Sequence, residues 1–505
     1  MSRVLTNNMT LSYAIEATIG VLPGSPLWHI LEPNTLGAYG ATITTVARDP
    51  ISRNRQRRKG TVTDLDSAVD WDGDLTMTHF VDFVEGFVFS TAVNGDLNFR
   101  AATTSGASYT VPALSVDQAA KLLFAATAPV SLMFARGYLL AANNGIKPLT
   151  AKPTSTGTII TVSGLSAETP PTNSELDIAG VRTDTDDLDI TVSGFTAALT
   201  SGNGGGTAMD FTILGLTVGQ FVHIGGLTAT NQFDNGFGYA RITGIAAGQL
   251  DLDKLDATIL TDATGAGKKI DILFGRFVRN VPTSSTEFLE RSFQYELAYP
   301  DLEAVGTDRY EYAKGNFINT MALTMPLSDK ASVSFASIGT DAEPPVLARA
   351  TNAETAIEPS RTGAFNTTSD CTRLRIAELD ESGIYTDFKS LTVTFGNNVS
   401  PEKILCNLGA KFMNFGNFQV DVEAQLIFSD ARIASAVREN RTLSMDFGLK
   451  NDDGAMFIDI PSMTLGGGDK EFPVNETVLI NTTGEAFADP TLNTSIGISL
   501  FPIVP

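Results

Sequence analysis

The feature that most constrains the fold is a run of alternating apolar and polar residues at positions 416–428, GNFQVDVEAQLIF. The apolar set is Phe418, Val420, Val422, Ala424, Leu426 and Phe428, and the polar set is Gln419, Asp421, Glu423 and Gln425. Because successive side chains of a strand point to opposite faces, this run predicts a strand with one buried face and one acidic, solvated face. Segment 315–327 opens with the same Gly-Asn-Phe tripeptide and repeats the pattern.

The composition favours a mainly β protein that is large enough for two or three domains. The chain has 505 residues and a formal net charge of -22, and short Val, Ile, Thr and Phe runs are separated by turns rich in glycine and proline. The acidic balance argues against wrapping nucleic acid, because binding to phosphates needs clustered Lys and Arg. It does not prevent DNA from passing close to the protein.

The beginning of the sequence lacks the basic and then apolar pattern of a secretory signal, and no apolar run approaches the roughly 18 to 20 residues of a membrane helix. We therefore expect a soluble protein with no membrane segment, made and assembled in the cytoplasm. Cys371 and Cys406 are too few for a disulfide framework or a zinc site, so reduced thiols are expected.

The pattern of strands and turns in the sequence divides the chain into three parts. Residues 1–128 and 276–505 contain the acid-faced strands, whereas 129–275 contains short strands with Gly, Thr and Asn-Gly turns. We interpret 129–275 as an inserted small β domain, either one barrel or sandwich or a tandem pair. Because acid-faced strands stop before this insert and resume after it, we expect it to project outward from the main domain and to be dispensable for assembly.

One resumed strand spans 290–297. Its predicted inward residues are Phe293, Tyr295 and Leu297, and its predicted outward residues are Glu290, Gln294 and Glu296. Two helices are also expected. Apolar residues recur at helical spacing over 79–90, and Ser115 with Gln118 forms a capping-box pattern at the start of a helix over 115–127.

The sequence contains few residues in patterns typical of catalysis. His29, His79 and His223 are widely separated and belong to no metal-binding spacing, and no nucleophile elbow or phosphate-binding loop is present. Asp421 and Glu423 could be read as a glycosidase pair, but they lie on an even polar face where a solvated sheet surface is the simpler interpretation. No catalytic, cofactor-binding or metal-binding residues and no cofactor are predicted.

The order of these features resembles the major tail tube proteins of long-tailed (siphovirus-like) bacteriophages. The resemblance is carried near the N-terminus by 13–23 (YAIEATIGVLP), by the loop from Ala47, and by 73–77 (GDLTM) leading into a helix. Near the C-terminus it is carried by 409–428, by 448–461 with its acidic turn and FIDIP, and by the final short strand. It covers roughly 10–95 and 280–505.

The resemblance implies a tail-tube-type β-sandwich or barrel subunit with a flanking α-helix, a long N-terminal loop over about 47–70 and the inserted β domain. Six subunits would form a ring by joining their inner sheets, and rings would stack into a hollow tube. Genomic DNA would pass through the lumen without sequence-specific binding, and other tail proteins would be partners. An acidic inner wall suits this role, because like charge keeps phosphates from adhering. The predicted lumen-facing residues are Asp421, Glu423, Gln425, Glu290, Gln294 and Glu296.

A basic cluster in the loop is out of keeping with the acidic chain. Its members are Arg53, Arg55, Arg57, Arg58 and Lys59. We predict that this loop contacts a neighbouring subunit in the adjacent ring, with acidic protein as its partner. DNA and plain solvent are the alternatives.

Two other classes of function stay open. A surface adhesin-like protein that binds glycans would also be rich in β-strands, and a related tail-terminator or baseplate ring protein would share the same features. An enzyme would need a convergent polar pocket, which three scattered histidines do not predict.

Overall fold

The computed structural model describes residues 4–49, 51, 53, 56–77, 80–124, 129–202, 207–262, 267–350, 356–359 and 362–503. Within these residues the protein is mainly β, built from antiparallel sheets with a few short helices, as the sequence predicted. The α-helices are α1 (Phe80–Val88), α2 (Val116–Lys121) and α3 (Ala431–Glu439). Short 3₁₀ turns cover Thr6–Asn8, Gly95–Leu97, Ala141–Asn143, Phe211–Ile213 and Ala229–Asn231.

The strands of the first half of the chain are β1 (Thr10–Ile15), β2 (His29–Leu31), β3 (Thr35–Arg48), β4 (Arg58–Asp74), β5 (Phe99–Arg100), β6 (Thr103–Ser105), β7 (Ser108–Thr110), β8 (Val130–Arg136), β9 (Gly145–Pro148), β10 (Ile159–Thr161), β11 (Glu175–Thr185), β12 (Asp189–Ser193), β13 (Thr196–Thr200), β14 (Phe221–Ile224), β15 (Gly238–Ala246) and β16 (Gln249–Asp253). Those of the second half are β17 (Lys269–Leu273), β18 (Arg276–Arg279), β19 (Phe293–Tyr299), β20 (Arg309–Met325), β21 (Ser332–Gly339), β22 (Asp341–Val346), β23 (Cys371–Glu378), β24 (Phe388–Gly396), β25 (Ser400–Lys403), β26 (Ala410–Asn414), β27 (Gln419–Ile427), β28 (Thr442–Asn451), β29 (Gly454–Glu471), β30 (Leu479–Ala486) and β31 (Gly497–Phe501).

The chain divides into two compact units, each made of three segments. The first comprises Met1–Ser90, Phe288–Ala364 and Ser390–Glu423. Its strands β24, β20, β19, β1 and β2 lie side by side in that order, and β21 pairs with both β20 and β4. Strand β4 in turn pairs with β3. All of these pairings are antiparallel.

The core of the first unit is aromatic and is centred on helix α1. Phe83 of this helix lies 4.6 Å from Tyr13, 5.1 Å from Trp71 and 5.1 Å from Phe293, measured between ring centroids. The helix therefore covers the sheet, as its apolar spacing predicted, and it spans Phe80–Val88. His79, with which we expected the helix to begin, lies outside the described residues.

The second unit comprises Thr91–Glu287, Phe365–Lys389 and Ala424–Pro505. A ten-stranded sheet runs in the order β12, β13, β16, β15, β14, β17, β11, β8 and β9, with β5 paired to β11. A further set has β18, β31, β29 and β30 in order, with β28 between β29 and β23. Helix α2 carries the predicted capping box at Ser115 and Gln118, but it ends at Lys121, where Leu122 is already extended.

Strands β28 and β29 form a hairpin, and neither face of it is solvated near the turn. Seven of the ten residues of β28 are buried, and so is the first part of β29. Asp446 and Asp459, which lie opposite each other on the two strands, are only 1% and 2% exposed. Carboxylates so deeply buried need ionic partners.

Those partners come from distant parts of the second unit. The Nζ of Lys254 lies 3.1 Å from Asp446 Oδ1 and 2.9 Å from Asp459 Oδ1, and the Lys254 side chain is completely buried. Three arginines complete the ion cluster. Arg241 contacts Asp459, while Arg373 and Arg375 contact Asp446.

The ion cluster ties the insert to the C-terminal strands, because Arg241 and Lys254 lie in 129–275 whereas Asp446 and Asp459 lie in 276–505. Burial by itself raises the pKa of Asp446, but Lys254, Arg373 and Arg375 lower this pKa well below its usual range. Excision of 129–275 would remove partners of two buried carboxylates. The contacts thus argue against the expectation that the insert is dispensable.

We predict that Asp446→Asn lowers the free energy of unfolding at pH 7 by about 3 to 5 kcal/mol, because it leaves buried cations without their counter-charge. The pKa of Asp446 is lowered by folding, so its contribution is complete above about pH 4 and is lost as the pH falls further. The deficit of the variant should therefore shrink in acid.

Denaturant unfolding as a function of pH measures this effect. Asp469→Asn is the matched control, since Asp469 lies on the same strand β29 but is exposed, and its effect should stay within about 0.5 kcal/mol. Equal stability of the two variants would contradict a structural role for the ion cluster.

Candidate assembly surfaces

The segment predicted as a long loop over 47–70 is mostly a β-hairpin. Strands β3 and β4 pair from Thr35 and Asp72 at one end to Arg48 and Arg58 at the other. We call this hairpin the arm. The local reason is composition, since Thr and other β-branched residues occur along both strands and favour extended backbone.

The outer half of the arm is exposed and lacks a third strand in the described pairings. Strand β21 pairs with β4 only between Ser67 and Asp74, so the arm beyond Ser67 is a two-stranded ribbon. Ile43 and Val46 are 55% and 57% exposed on this ribbon. Two-stranded ribbons are only marginally stable in water.

The basic cluster lies at the tip of the arm. Arg53, Arg57, Arg58 and Lys59 are exposed, and Arg55 lies outside the described residues. Arg57 Nε is 3.2 Å from Asp49 Oδ1, but both side chains are largely solvated. The described part of the tip therefore keeps a net positive charge.

An acidic stretch follows the tip and binds a second hairpin of the same unit. The Nζ of Lys403, at the end of β25, lies 2.7 Å from Asp64 and 2.6 Å from Asp66. The hydrogen bond from Lys403 lowers the pKa of Asp64. The β25–β26 hairpin carries exposed apolar side chains of its own, with Leu405 93% exposed.

Strand β27 has the alternation that its sequence predicted. Val420 and Val422 are buried, whereas Asp421 and Glu423 are exposed. Gln425 is half-buried, and its Nε2 donates to Asn481 Oδ1 at 3.2 Å. The first two carboxylates are therefore on a solvated face, and whether this face lines a lumen stays a prediction.

The prediction of a solvated face at 290–297 is wrong for two of its three residues. Glu290 is exposed, but Gln294 and Glu296 are 3% and 2% exposed. The Glu296 carboxylate accepts hydrogen bonds from Arg349 Nη2 at 2.6 Å and from the Tyr312 hydroxyl at 2.6 Å. Polar groups brought from elsewhere in the chain thus cover this face of β19. Arg349 is 53 positions away, so no local signal could have indicated it.

The arrangement of His, Cys, Asp and Glu side chains gives no candidate metal centre in the part of the chain that is described. No group of three or more His, Cys, Asp or Glu side chains there is arranged to hold a metal ion. His29 and His223 are buried, each 5% exposed. Burial lowers the pKa of His223 to about 4. Among the described helices, none is long and apolar enough to cross a membrane.

We predict different effects on stability for substitutions of Glu296 and Glu423, which both lie at positions predicted to be solvated. Glu296→Gln should lower the free energy of unfolding by about 2 to 4 kcal/mol, since Arg349 loses a buried counter-charge. Glu423→Gln should change it by no more than about 0.5 kcal/mol, because Glu423 is exposed. Thermal and denaturant unfolding compare them directly, and comparable losses would show that the two positions are not distinguished by burial.

A comparison with known families gives a match in the second half of the chain. A family model described as phage tail tube protein matches residues 254–484, from the buried Lys254 to strand β30. No curated protein matches the chain significantly. The matched segment includes β27, the β28–β29 hairpin and the acidic partners of Lys254. Residues 254–484, slightly less than half of the chain, are thus similar to the phage tail tube protein family, and this match supports a structural role in a phage tail.

Proposed function

We propose that the protein is the major tail tube subunit of a long-tailed phage. Copies close into rings, with six subunits in each, and the rings stack into a hollow tube through which the genome enters the host. The observation that carries this proposal is the arm, a ribbon of two exposed strands with apolar flanks and a basic tip.

The arm needs a partner for a physical reason. Its outer half gains no packing from a third strand, and side chains such as Ile43, Val46 and Val62 stay in water. Each Å² of apolar surface that a neighbouring subunit removed from water would contribute roughly 25 cal/mol. A tube supplies such a neighbour at every position, because a head-to-tail contact repeats without end.

The acidic face of β27 fits the lumen of such a tube. Asp421 and Glu423 are exposed on it, while their neighbours Val420 and Val422 are committed to the interior. Carboxylates along the wall repel DNA phosphates and so reduce adhesion of the moving polymer. Glu290 is a second exposed candidate, and Gln425 is a partly covered one.

We also propose the binding partners of the protein and its location. The protein would bind other copies of itself and other tail proteins, and it would be assembled in the host cytoplasm before entering the virion. DNA would pass without sequence-specific contact. The basic tip would bind acidic protein, since a basic surface in the lumen would hold the phosphates that the acidic face repels.

Negative-stain microscopy of the purified protein tests the proposal most directly. Rings or tubes are expected. Stable monomers with affinity for glycans would favour an adhesin-like protein instead, and a single ring that does not stack would favour a tail-terminator or baseplate protein.

We predict that replacing the five basic residues of the tip with Ser leaves a folded subunit that stacks poorly. The positions are Arg53, Arg55, Arg57, Arg58 and Lys59. One exposed ion pair contributes only about 0 to 1 kcal/mol, so the effect must come from several pairs repeated around a ring. For the same reason, wild-type stacking should weaken as ionic strength rises.

Tube length by microscopy and sedimentation in a salt series measure this prediction. Arg432→Ser with Arg438→Ser is the control, because both side chains are exposed on α3 and far from the tip in sequence. Tubes of normal length and salt tolerance from the tip variant would show that the arm is not a stacking element.

We also predict that Asp421→Lys with Glu423→Lys permits particle assembly but slows DNA ejection, since the new cations attract phosphates. Ejection kinetics of intact particles provide the measurement. Asp117→Lys with Glu476→Lys is the charge-matched control at exposed sites elsewhere. Ejection at the wild-type rate from assembled particles would count against a lumen position for β27.

A further inference from the structure

A pocket of about 220 Å³ lies in the first unit at the base of the arm, where β4 ends. Trp71, Phe80 and Phe335 supply aromatic lining, and the carboxylates of Glu32 and Asp74 also line it. The rings of Trp71 and Phe335 are 4.9 Å apart between centroids. The volume exceeds the roughly 150 Å³ that holds a benzene-sized group. One long side chain therefore fits.

The charge of the pocket selects for a cation. Glu32 is exposed, and Asp74 pairs with Lys330, whose Nζ lies 2.8 Å from it. Among the described residues at the rim, two carboxylates face one neighbouring lysine, which leaves a net negative charge. Aromatic faces beside carboxylates suit a guanidinium or an ammonium group, because the rings attract the cation and pack against its aliphatic stem.

A matching surface lies at the opposite end of the same hairpin. Ile51 is completely exposed at the tip, and Arg53 is exposed two positions further on. The tip therefore offers an apolar side chain beside cations, which is the complement of an apolar pocket with an acidic rim. Within this hairpin the pocket and the tip are the two ends of one element.

The length of β4 prevents the tip from filling its own pocket. Arg58 and Trp71 are 13 residues apart on one continuous strand, and a rise of about 3.3 Å per residue separates them by roughly 43 Å. An occupant from this hairpin must therefore come from another copy of the chain. A contact that joins two different surfaces of identical molecules is head-to-tail and builds an open filament.

We propose that the arm tip of one copy docks in the pocket at the arm base of the next copy along the tube, with Arg53 facing Glu32. This inference rests on the proposed function and adds the receptor site for the arm. It limits the distance between successive copies along the tube to the span from Trp71 to Arg53, which for 18 residues at about 3.3 Å each cannot exceed roughly 60 Å.

A charge exchange tests the docking. Arg53→Glu and Glu32→Lys should each raise the protein concentration needed for tube formation by about tenfold or more, because each places like charges together. The combined variant restores opposite charges, so the concentration that it needs for tube formation should return most of the way to the wild-type value. Both side chains are exposed, so each variant should unfold at the wild-type temperature. Glu476→Lys, at another exposed position, should assemble like the wild type.

Three results would overturn the docking. These are single variants that assemble at the wild-type concentration, a combined variant no better than the worse single one, and an axial repeat of wild-type tubes clearly above the span of the arm. If wild-type protein forms no rings or tubes at all, the proposed function itself falls. If tubes form but the charge variants do not change their assembly, only the assignment of this pocket is wrong.

Discussion

The buried ion cluster of the second unit is the constraint on which the rest of that unit depends. Asp446 and Asp459 sit opposite each other inside a hairpin with no solvated face. Bringing two carboxylates this close out of water is unfavourable unless cations accompany them. Lys254 and Arg241 lie near the middle of the sequence, whereas Arg373 and Arg375 lie on β23. These contacts require the segments of the unit to fold together.

The first unit differs, because the outer half of its arm is not covered by a third strand in the described pairings. Its aromatic core around Phe83 is dense, and its sheet covers Glu296 with Arg349 and Tyr312. The arm leaves this core as two strands whose apolar side chains face water. A protomer with one well-packed part and one uncovered ribbon is suited to assembly, since ordering of the ribbon can be coupled to subunit contact.

Positive and negative side chains lie on different surfaces of the first unit, which supports this interpretation. The chain is strongly acidic, yet four described cations gather at the arm tip. Exposed acids on β27 and at the arm base provide two different negative surfaces. In the proposed tube, acidic side chains on β27 would repel phosphates, while those at the arm base would attract the basic tip of a neighbouring subunit.

The sequence by itself determined what depends on local periodicity. Alternation identified β27 with its exposed Asp421 and Glu423, helical spacing identified α1, and the Ser115–Gln118 pattern identified the cap of α2. The tertiary structure alone decided which polar positions are solvated. Gln294 and Glu296 alternate like a wet face and are buried, and Asp446 is buried because its cations are contributed by residues far away in sequence. Periodicity reports which side chains share a face of a strand, whereas the partner that covers this face is set by contacts between segments distant in the chain.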